Sequence, residues 1–320
     1  MSNEGDRNRG AKGEVSRRRM LQQAASLAVV GAAGAAGAAR AEEKGPAVRK
    51  GRIKQSIVQW CFAPYWDVAE TCRVARQLGL TSVELVAASD YPVLREHGIT
   101  NAIVQIDMDP DPPFVFGFNN PDHHERVLQA TRKAIDEAAE FGYERVICFT
   151  GYKYRDPNDP ASPVIGDEEG MANCVVGLRK IIGHAEENGI TLCLEQLNTR
   201  DDTHPMKGHP GYHGDDIDYC AAICRAVDSP NMKLLFDLYH VQIMNGDLIR
   251  RIHQYQDLLG HIHVAGNPGR NELDAAQEIN FVGCMQALLE VGYDGFVGLE
   301  FIPTRDPLQS LREAVALCDV

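Results

Sequence analysis

Four polar side chains stand near the C-terminal ends of four successive apolar runs. They are Glu195 in TLCLEQLN, Asp237 in MKLLFDLYH, His263 in HIHVAG and Glu300 in FVGLEFIP. A carboxylate in such a run must be paired, hydrogen-bonded or bound to a metal, because burying it alone is costly. Three carboxylates and an imidazole that converge could hold one divalent cation. These oxygen and nitrogen donors suit Mg²⁺ or Mn²⁺, with Zn²⁺ or Co²⁺ as alternatives.

A cation in this position predicts a particular chemistry. When a substrate chelates a divalent cation through a hydroxyl and the adjacent carbonyl, its carbon-bound proton becomes more acidic and the resulting enediolate is stabilised. Two carboxylates on opposite faces of that enediolate can act as base and acid. Glu195 and Glu300 fit these two roles. The predicted product is an isomer or an epimer, and no redox cofactor is needed.

Repeated strand and helix patterns position these residues. From Ile53 onward, short β-branched runs alternate with helical patterns that end in glycine, which is typical of βα units. Eight strands are predicted, at 54–60, 82–87, 101–107, 145–151, 191–198, 233–240, 261–266 and 296–303. Eight units in about 270 residues indicate an α/β protein with a (β/α)8 TIM barrel, whose chemistry occurs at the C-terminal ends of the strands. An open doubly wound sheet is the alternative, but QWCFAPYWD lacks the glycine-rich loop that it needs.

One of the longest loops after a predicted strand is rich in histidine. It covers residues 199–216 and contains His204, His209 and His213 among proline and glycine. Three histidines could form a second metal site. Their spacing lacks the fixed helical geometry of a zinc motif, so we favour a loop that covers the substrate.

The N-terminal segment has the features of an export signal. SRRRML at 16–21 resembles the twin-arginine signal SRRxFLK, an Ala/Gly-rich apolar stretch follows, and ARA at 39–41 has the form of a cleavage site. We predict a signal peptide over 1–41, a linker over 42–52 and a barrel domain over 53–320, in a protein exported to the periplasm or another extracytoplasmic location. The apolar stretch is too short and glycine-rich to span a membrane, which takes about 20 apolar residues.

The charge balance bears on the class of partner. The chain carries 32 basic and 45 acidic residues, a formal net charge of −13. Removal of residues 1–41 would leave 25 basic and 42 acidic residues, a balance of −17. A field of this sign repels phosphate backbones, so we expect no nucleic-acid partner. Arginine can still hold a small anion locally.

Four segments in combination resemble the hydroxypyruvate isomerase family, within the xylose isomerase-like TIM barrels. They are LEQLN, FDLYHVQIMNGD, GHIHVAGNPGRNELDAAQEIN and GYDGFVGLEFIP. The resemblance covers nearly the whole chain after the predicted signal. It implies that Glu195 and Glu300 are proton donor and acceptor, and that Asp237 and His263 complete the metal set. The related ketose 3-epimerases also have His at the last position, whereas the enterobacterial hydroxypyruvate isomerases have Gln, so the exact substrate is left open.

The resemblance also implies substrate-binding residues. His240 and Arg270 match residues that contact substrate oxygens in the epimerases, and a guanidinium suits a carboxylate or enediolate oxygen. Glu84 matches a glutamate on the second strand, and we expect it at the barrel mouth, where it orients substrate or a ligand; a structural ion pair is the alternative. Trp60 and Trp66 are candidates for the pocket wall, although simple packing is the commoner role of such aromatics.

We therefore predict a metal-dependent aldose–ketose isomerase that interconverts hydroxypyruvate and 2-hydroxy-3-oxopropanoate (tartronate semialdehyde). The alternative is a ketose or inosose epimerase/isomerase that uses the same residues on a larger sugar. Two hypotheses are less favoured: an endonuclease IV-like phosphodiesterase, which needs a three-zinc cluster and a DNA-binding face, and a non-catalytic sugar-binding protein. The expected partner is a small hydroxy-carbonyl acid or sugar. A homo-oligomer is left open.

Overall fold

Strands and helices alternate along the chain of the computed structural model, which describes residues 45–320. The predicted signal peptide at 1–41 and the first residues of the predicted linker lie outside the described residues. Within 45–320 the strands are β1 Lys54–Val58, β2 Ser82–Glu84, β3 Arg145–Cys148, β4 Thr191–Glu195, β5 Met232–Asp237, β6 Leu259–Val264 and β7 Phe296–Leu299. None of the helices in this part of the chain is long and apolar enough to cross a membrane.

Eleven α-helices accompany these strands in the described part of the chain. They are α1 Gln59–Phe62, α2 Val68–Leu78, α3 Tyr91–Glu96, α4 His124–Phe141, α5 Asp167–Arg179, α6 Ile182–Glu187, α7 Ile217–Val227, α8 Leu238–Met244, α9 Leu248–Gln254, α10 Phe281–Glu290 and α11 Pro307–Cys318. Helix α2 ends at Gly79, which has the left-handed conformation (φ 87°) that the helix-ending glycines predict.

The sheet is parallel and curls into a barrel. Its strand order is β2-β1-β7-β6-β5-β4-β3, so the first and last strands of the chain are neighbours. The two edge strands are joined by the segment between them, because Thr100 pairs with Ser82 and Val104 pairs with Val146, both in parallel. The predicted (β/α)8 TIM barrel is therefore confirmed.

The predicted third strand at 101–107 is wrong as a regular strand. This segment contributes only single bridges to the barrel. The register explains why. The backbone N–H of Val83 donates to the carbonyl of Thr100 and that of Leu85 donates to the carbonyl of Ile103. An advance of two residues along β2 and its end is therefore matched by an advance of three residues along the segment. Evenly spaced parallel pairing cannot continue past an extra residue, which bulges out of the ladder.

The turn after β5 positions two of the predicted site residues. Asp237 ends the strand and also caps helix α8, since its Oδ1 accepts the backbone N–H of Tyr239 at 2.8 Å. The chain therefore becomes helical at Leu238, and the strand predicted to run through 240 ends earlier. His240 lies in the first turn of α8, directly beside the end of the barrel strand.

Candidate active site

The four residues predicted as metal ligands converge at the C-terminal ends of β4 to β7. Glu195 ends β4, Asp237 ends β5, His263 lies one residue before the end of β6, and Glu300 directly follows β7. All four are buried, and one ligand atom from each lies within 4.8 Å of the others. The parallel register helps to produce this arrangement, because Asp237 and His263 are direct partners on neighbouring strands.

Several of these ligand atoms have no other partner. Glu195 Oε1, Asp237 Oδ2 and His263 Nδ1 are buried without a hydrogen bond from the described residues. His263 Nδ1 lies 2.9 Å from Glu300 Oε2 and 3.6 Å from Glu195 Oε1, but not in hydrogen-bond geometry. Buried polar atoms nearly always have a hydrogen-bond partner. Oxygen and nitrogen atoms that face one another without such partners are therefore typical of a cation site. Three carboxylates and an imidazole fit a divalent cation.

Glu84 and His261 lie behind His263. Glu84 Oε1 accepts a hydrogen bond from His263 Nε2 at 2.8 Å and another from His261 Nε2 at 2.9 Å, and all three side chains are fully buried. Because the Nε2 of His263 is engaged with Glu84, its Nδ1 is the atom that faces the carboxylates. A carboxylate that accepts from the second nitrogen of a histidine fixes the ring for metal binding.

The position of Glu84 differs from the predicted one. We expected it at the barrel mouth, where it would orient substrate or a ligand. The structure places it behind His263, where its hydrogen bond orients this candidate ligand, and its pairing with two histidines also fits the ion-pair alternative. His261 was not predicted, although the HIH spacing puts it on the same face of the strand as His263. Gly298 makes room for the group, since a Cβ there would lie 2.4 Å from Glu84 Oε1 and 2.7 Å from His263 Cδ2.

We expect Glu84→Gln to weaken Mn²⁺ binding about 10- to 100-fold, because the amide holds His263 less firmly and does not raise the basicity of its ring. Titration of the metal-free protein with Mn²⁺ measures this. Glu272→Gln is the matched control: Glu272 is also buried, but its carboxylate accepts from Thr304 and Ser310. The control should lower thermal stability and leave the Mn²⁺ Kd unchanged. Equal Mn²⁺ affinity in Glu84→Gln and the wild type would contradict the assignment.

A small cavity opens beside the cluster, next to Glu195 and Glu300. Its volume is about 190 Å³, below the roughly 300–1,000 Å³ of common ligand sites, so it suits a small molecule. Aromatic and apolar side chains form most of the wall, and a few polar groups interrupt it. The lining includes Trp60, Phe114, Phe149, Met206, His209 and Arg270.

Arg270 is buried and holds one of the two glutamates. Its Nη2 donates to Glu300 Oε2 and its Nη1 donates to the carbonyl of Met206. The guanidinium carbon lies 5.1 Å from the ring centre of Trp60 and 5.7 Å from that of Tyr239. Trp60 Nε1 also donates to Glu300 Oε1 at 2.9 Å, so both oxygens of this carboxylate are fixed. Trp60 lines the cavity, as expected of a wall residue, but its hydrogen bond to Glu300 was not predicted.

His240 presents a free nitrogen to the ligand set. Its Nδ1 accepts from the backbone N–H of Asn198 at 3.1 Å and lies 2.7 Å from the side-chain amide nitrogen of the same residue. The proton of the neutral ring is therefore on Nε2, which has no hydrogen-bond partner and lies 3.5 Å from Asp237 Oδ2. Burial and the charge of Arg270 lower the pKa of His240 well below its usual value, which keeps the ring neutral.

The two glutamates differ in proton affinity in the metal-free site. Burial, with help from the charge of Glu300, raises the pKa of Glu195 to about 7. Burial also acts on Glu300, but Arg270 and His263 hold the pKa of Glu300 well below its usual value. Burial and Glu300 raise the pKa of Asp237 to about 6. Two carboxyl groups whose environments separate their pKa values are suited to act as an acid and a base.

The histidines of loop 199–216 do not come together. His209 lines the cavity, His204 is exposed, and the Nδ1 of His213 lies 3.0 Å from the amide nitrogen of Asn119. Neither group of potential metal ligands among residues 45–320 includes any of the three. The described structure therefore gives no support to a second metal site in this loop. Trp66 is also outside the cavity lining and stacks on Phe62.

Residues 72–319 match the sequence model of the xylose isomerase-like TIM barrel family. The chain belongs to this family. Membership accounts for both the barrel and the position of the candidate site, because TIM barrels place their active sites at the C-terminal ends of the strands.

Curated relatives of this xylose isomerase-like chain are named isomerases. A putative hydroxypyruvate isomerase of Xenopus laevis is 28% identical over 263 residues, which cover 79% of this chain and 91% of the relative. The hydroxypyruvate isomerase of Escherichia coli K12 is 28% identical over 192 residues, covering 60% and 68%. The 2-oxo-tetronate isomerase of Cupriavidus necator is 37% identical over 119 residues, covering 37% and 43%. The prediction of an enzyme related to isomerases is confirmed.

Solved structures share the barrel of this family. An AP endonuclease, family 2, from Brucella melitensis superposes with a TM-score of 0.67 at 23% identity, covering 81% of this chain and 96% of that one. The 3-keto-D-glucoside 4-epimerase of E. coli superposes with a TM-score of 0.65 at 18% identity, covering 83% and 98%. At these identities the likeness shows the fold alone.

Proposed function

We propose that this xylose isomerase-like protein is a metal-dependent isomerase that interconverts hydroxypyruvate and 2-hydroxy-3-oxopropanoate. One observation carries the proposal: Glu195 and Glu300 line the same small cavity and belong to one buried group of potential metal ligands, in which Glu195 Oε1, Asp237 Oδ2 and His263 Nδ1 have no hydrogen-bond partner among the described residues. This places two groups able to move protons beside groups able to hold a cation. The names of the curated relatives support the same reaction.

Glu195, Asp237, His263 and Glu300 would hold the cation, and Glu84 would orient His263. When bound, a divalent cation supplies Lewis acidity that makes the carbon-bound proton of a hydroxy-ketone easier to remove. By holding the cation that the substrate chelates, the four side chains would also fix the position of the substrate relative to Glu195 and Glu300. Water is largely excluded, because the ligand residues are buried at the end of the barrel.

The isomerisation moves one proton from C3 to C2 and one from the C3 hydroxyl to the C2 oxygen. Glu300 is held ionised by Arg270, so it acts as the base that removes the C3 proton. Glu195, the second glutamate of the cavity lining, takes the other role and delivers a proton to C2 on the other side of the enediolate. The Nε2–H of His240 stabilises negative charge on a substrate oxygen.

The cavity favours a short substrate. Its volume of about 190 Å³ lies below that of common ligand sites, which favours a three- or four-carbon acid over a hexose. A four-carbon 2-oxo acid is a second candidate, which the Cupriavidus necator relative supports. A ketose or inosose epimerase has less support from the cavity. The three-zinc cluster of a phosphodiesterase has no counterpart in 45–320, since the two potential ligand groups there share His263.

Substrate profiling tests the proposal. We expect the kcat/KM of the Mn²⁺-loaded protein to be at least about tenfold higher for hydroxypyruvate than for a ketohexose. A single extra contact or clash in a small pocket changes kcat/KM by about this factor. NMR in D₂O follows the products and shows deuterium incorporation at C2. No conversion of hydroxypyruvate by folded, metal-loaded protein would exclude it as the substrate. Preferred turnover of 2-oxo-tetronate would establish the second candidate instead.

A further inference from the structure

We propose that His209 is a specificity-determining residue that binds the carboxylate of the substrate together with Arg270. The inference rests on the proposed function, since it concerns how the same cavity selects a hydroxy-carbonyl acid. It assigns a role to a histidine outside the predicted ligand set and outside the proton-transfer pair.

His209 is built into the cavity wall. Its side chain is only 4% exposed, and the residue lines the same cavity as Glu195 and Glu300. The backbone N–H donates to the carbonyl of Asn198 at 2.7 Å, and the ring packs edge-on against Phe114 with 4.3 Å between ring centres. Backbone and ring are thus both fixed, so the imidazole is held in the cavity wall.

The imidazole of His209 lacks the partner that a buried histidine normally has. Its Nε2 is buried with no hydrogen bond from the described residues. His213 and His240 also have an unpartnered Nε2, but each keeps its Nδ1 near an amide nitrogen, of Asn119 and Asn198, whereas the ring of His209 makes no hydrogen bond with the described residues through either nitrogen. A buried polar atom left unsatisfied costs about 1–3 kcal/mol, so an unpartnered group in a cavity wall points to a ligand that satisfies it.

Arg270 provides the charge for this ligand. Among the described residues that line the cavity, Arg270 is the one that carries a positive charge. Its Nε is buried without a hydrogen-bond partner in the described part of the chain. The loop that carries His209 is tied to Arg270, because Met206, three residues earlier, accepts from Arg270 Nη1. Burial and the charge of Arg270 lower the pKa of His209 to about 3, so the ring is a neutral hydrogen-bond donor.

A carboxylate suits this pair of groups. It has two acceptor oxygens, so it can accept from a neutral imidazole and from a guanidinium at once. Elsewhere in the lining, Glu195 and Glu300 would repel it or compete with it for the cation. The substrate therefore places its carboxylate at His209 and Arg270, and its two reacting carbons at the glutamates.

Binding of D-glycerate, the reduced and unreactive form of hydroxypyruvate, tests the inference on the Mn²⁺-loaded protein. We expect His209→Phe to weaken the glycerate Kd about 10- to 100-fold, as for a lost hydrogen bond to a charged group, with an unchanged Mn²⁺ Kd. Phe keeps the packing against Phe114, and His209→Gln, which keeps an N–H, should recover part of the affinity. His204→Phe, in the exposed part of the same loop, should bind glycerate like the wild type.

Kinetics separates this inference from the proposed function. His209→Phe should raise the KM for hydroxypyruvate by the same factor and change kcat much less. If the wild type binds glycerate through His209 but does not isomerise hydroxypyruvate, the proposed function fails and the carboxylate site stands. If hydroxypyruvate is isomerised and His209→Phe leaves KM and the glycerate Kd unchanged, the inference is overturned. Failure of the wild type to bind glycerate would also overturn it.

Discussion

Replacing Glu300 with Gln is expected to lower kcat for the isomerisation by about 10³-fold or more, with the barrel still folded. General acid–base groups contribute about 10²- to 10⁴-fold, and this residue also belongs to the ligand set. Gln has the size of Glu, and its single carbonyl oxygen can keep one of the two hydrogen bonds from Trp60 and Arg270. It cannot accept the carbon-bound proton. Initial rates on hydroxypyruvate at saturating Mn²⁺ measure the loss.

The same change at Glu195 should give a loss of similar size, because the second glutamate returns a proton to the other carbon. Two controls separate lost chemistry from lost structure: the melting temperature of each variant and its Mn²⁺ content at the concentration used for the assay. Glu272→Gln, which removes a buried carboxylate outside the site, should keep its kcat. A Glu300→Gln enzyme with wild-type kcat would contradict the role of Glu300 as the base.

The second large effect is on metal affinity as the pH falls. In the metal-free protein the pKa of Glu195 is about 7 and that of Asp237 is about 6, both raised first of all by burial. Only the ionised carboxylates bind a cation, so metal binding must release these protons. The apparent Kd for Mn²⁺ should therefore rise at least about 100-fold between pH 8 and pH 5.5, as the protons of Glu195 and Asp237 compete with the cation. Against the effect of burial, Glu300, Glu195 and Glu84 also raise the pKa of His263 well above its usual value, so its proton competes as well.

Isothermal titration with Mn²⁺ in buffers of different ionisation enthalpy measures both the Kd and the protons released. In Glu195→Gln the proton of this carboxyl group is absent, so the Kd should rise less steeply as the pH falls than it does in the wild type, and fewer protons should be released on binding. This variant is the internal control for the contribution of Glu195 to the pH dependence. Its overall affinity for Mn²⁺ should also be lower than that of the wild type. A wild-type Kd that does not change between pH 8 and pH 5.5 would show that these carboxylates are not the ligands.

The convergence of the four candidate ligands could be predicted because its signal is local. Each of Glu195, Asp237, His263 and Glu300 interrupts an apolar run near its end, and parallel strands align such ends at one edge of the barrel. Chain order alone then brings β4 to β7 together. The register adds only detail, such as the direct pairing of Asp237 with His263.

Other features depend on contacts that a local pattern does not contain. The segment 101–107 has the composition of a strand, but one extra residue against β2 prevents a continuous ladder. Glu84 could be placed behind His263 only with knowledge that Gly298, far along the chain, leaves the space empty. The position of His209 depends on the path of an irregular loop, and proline and glycine in the sequence do not specify that path.

The central claim is that Glu195 and Glu300 transfer a proton on a substrate held beside a divalent cation. The most direct measurement is the turnover of hydroxypyruvate in D₂O by the chelated protein, before and after addition of Mn²⁺, in the wild type and in Glu195→Gln and Glu300→Gln. We predict no turnover without the cation, restored turnover with deuterium at C2 in the wild type, and no restoration in either variant. Undiminished turnover by the metal-free protein, or full restoration in either variant, would contradict the account.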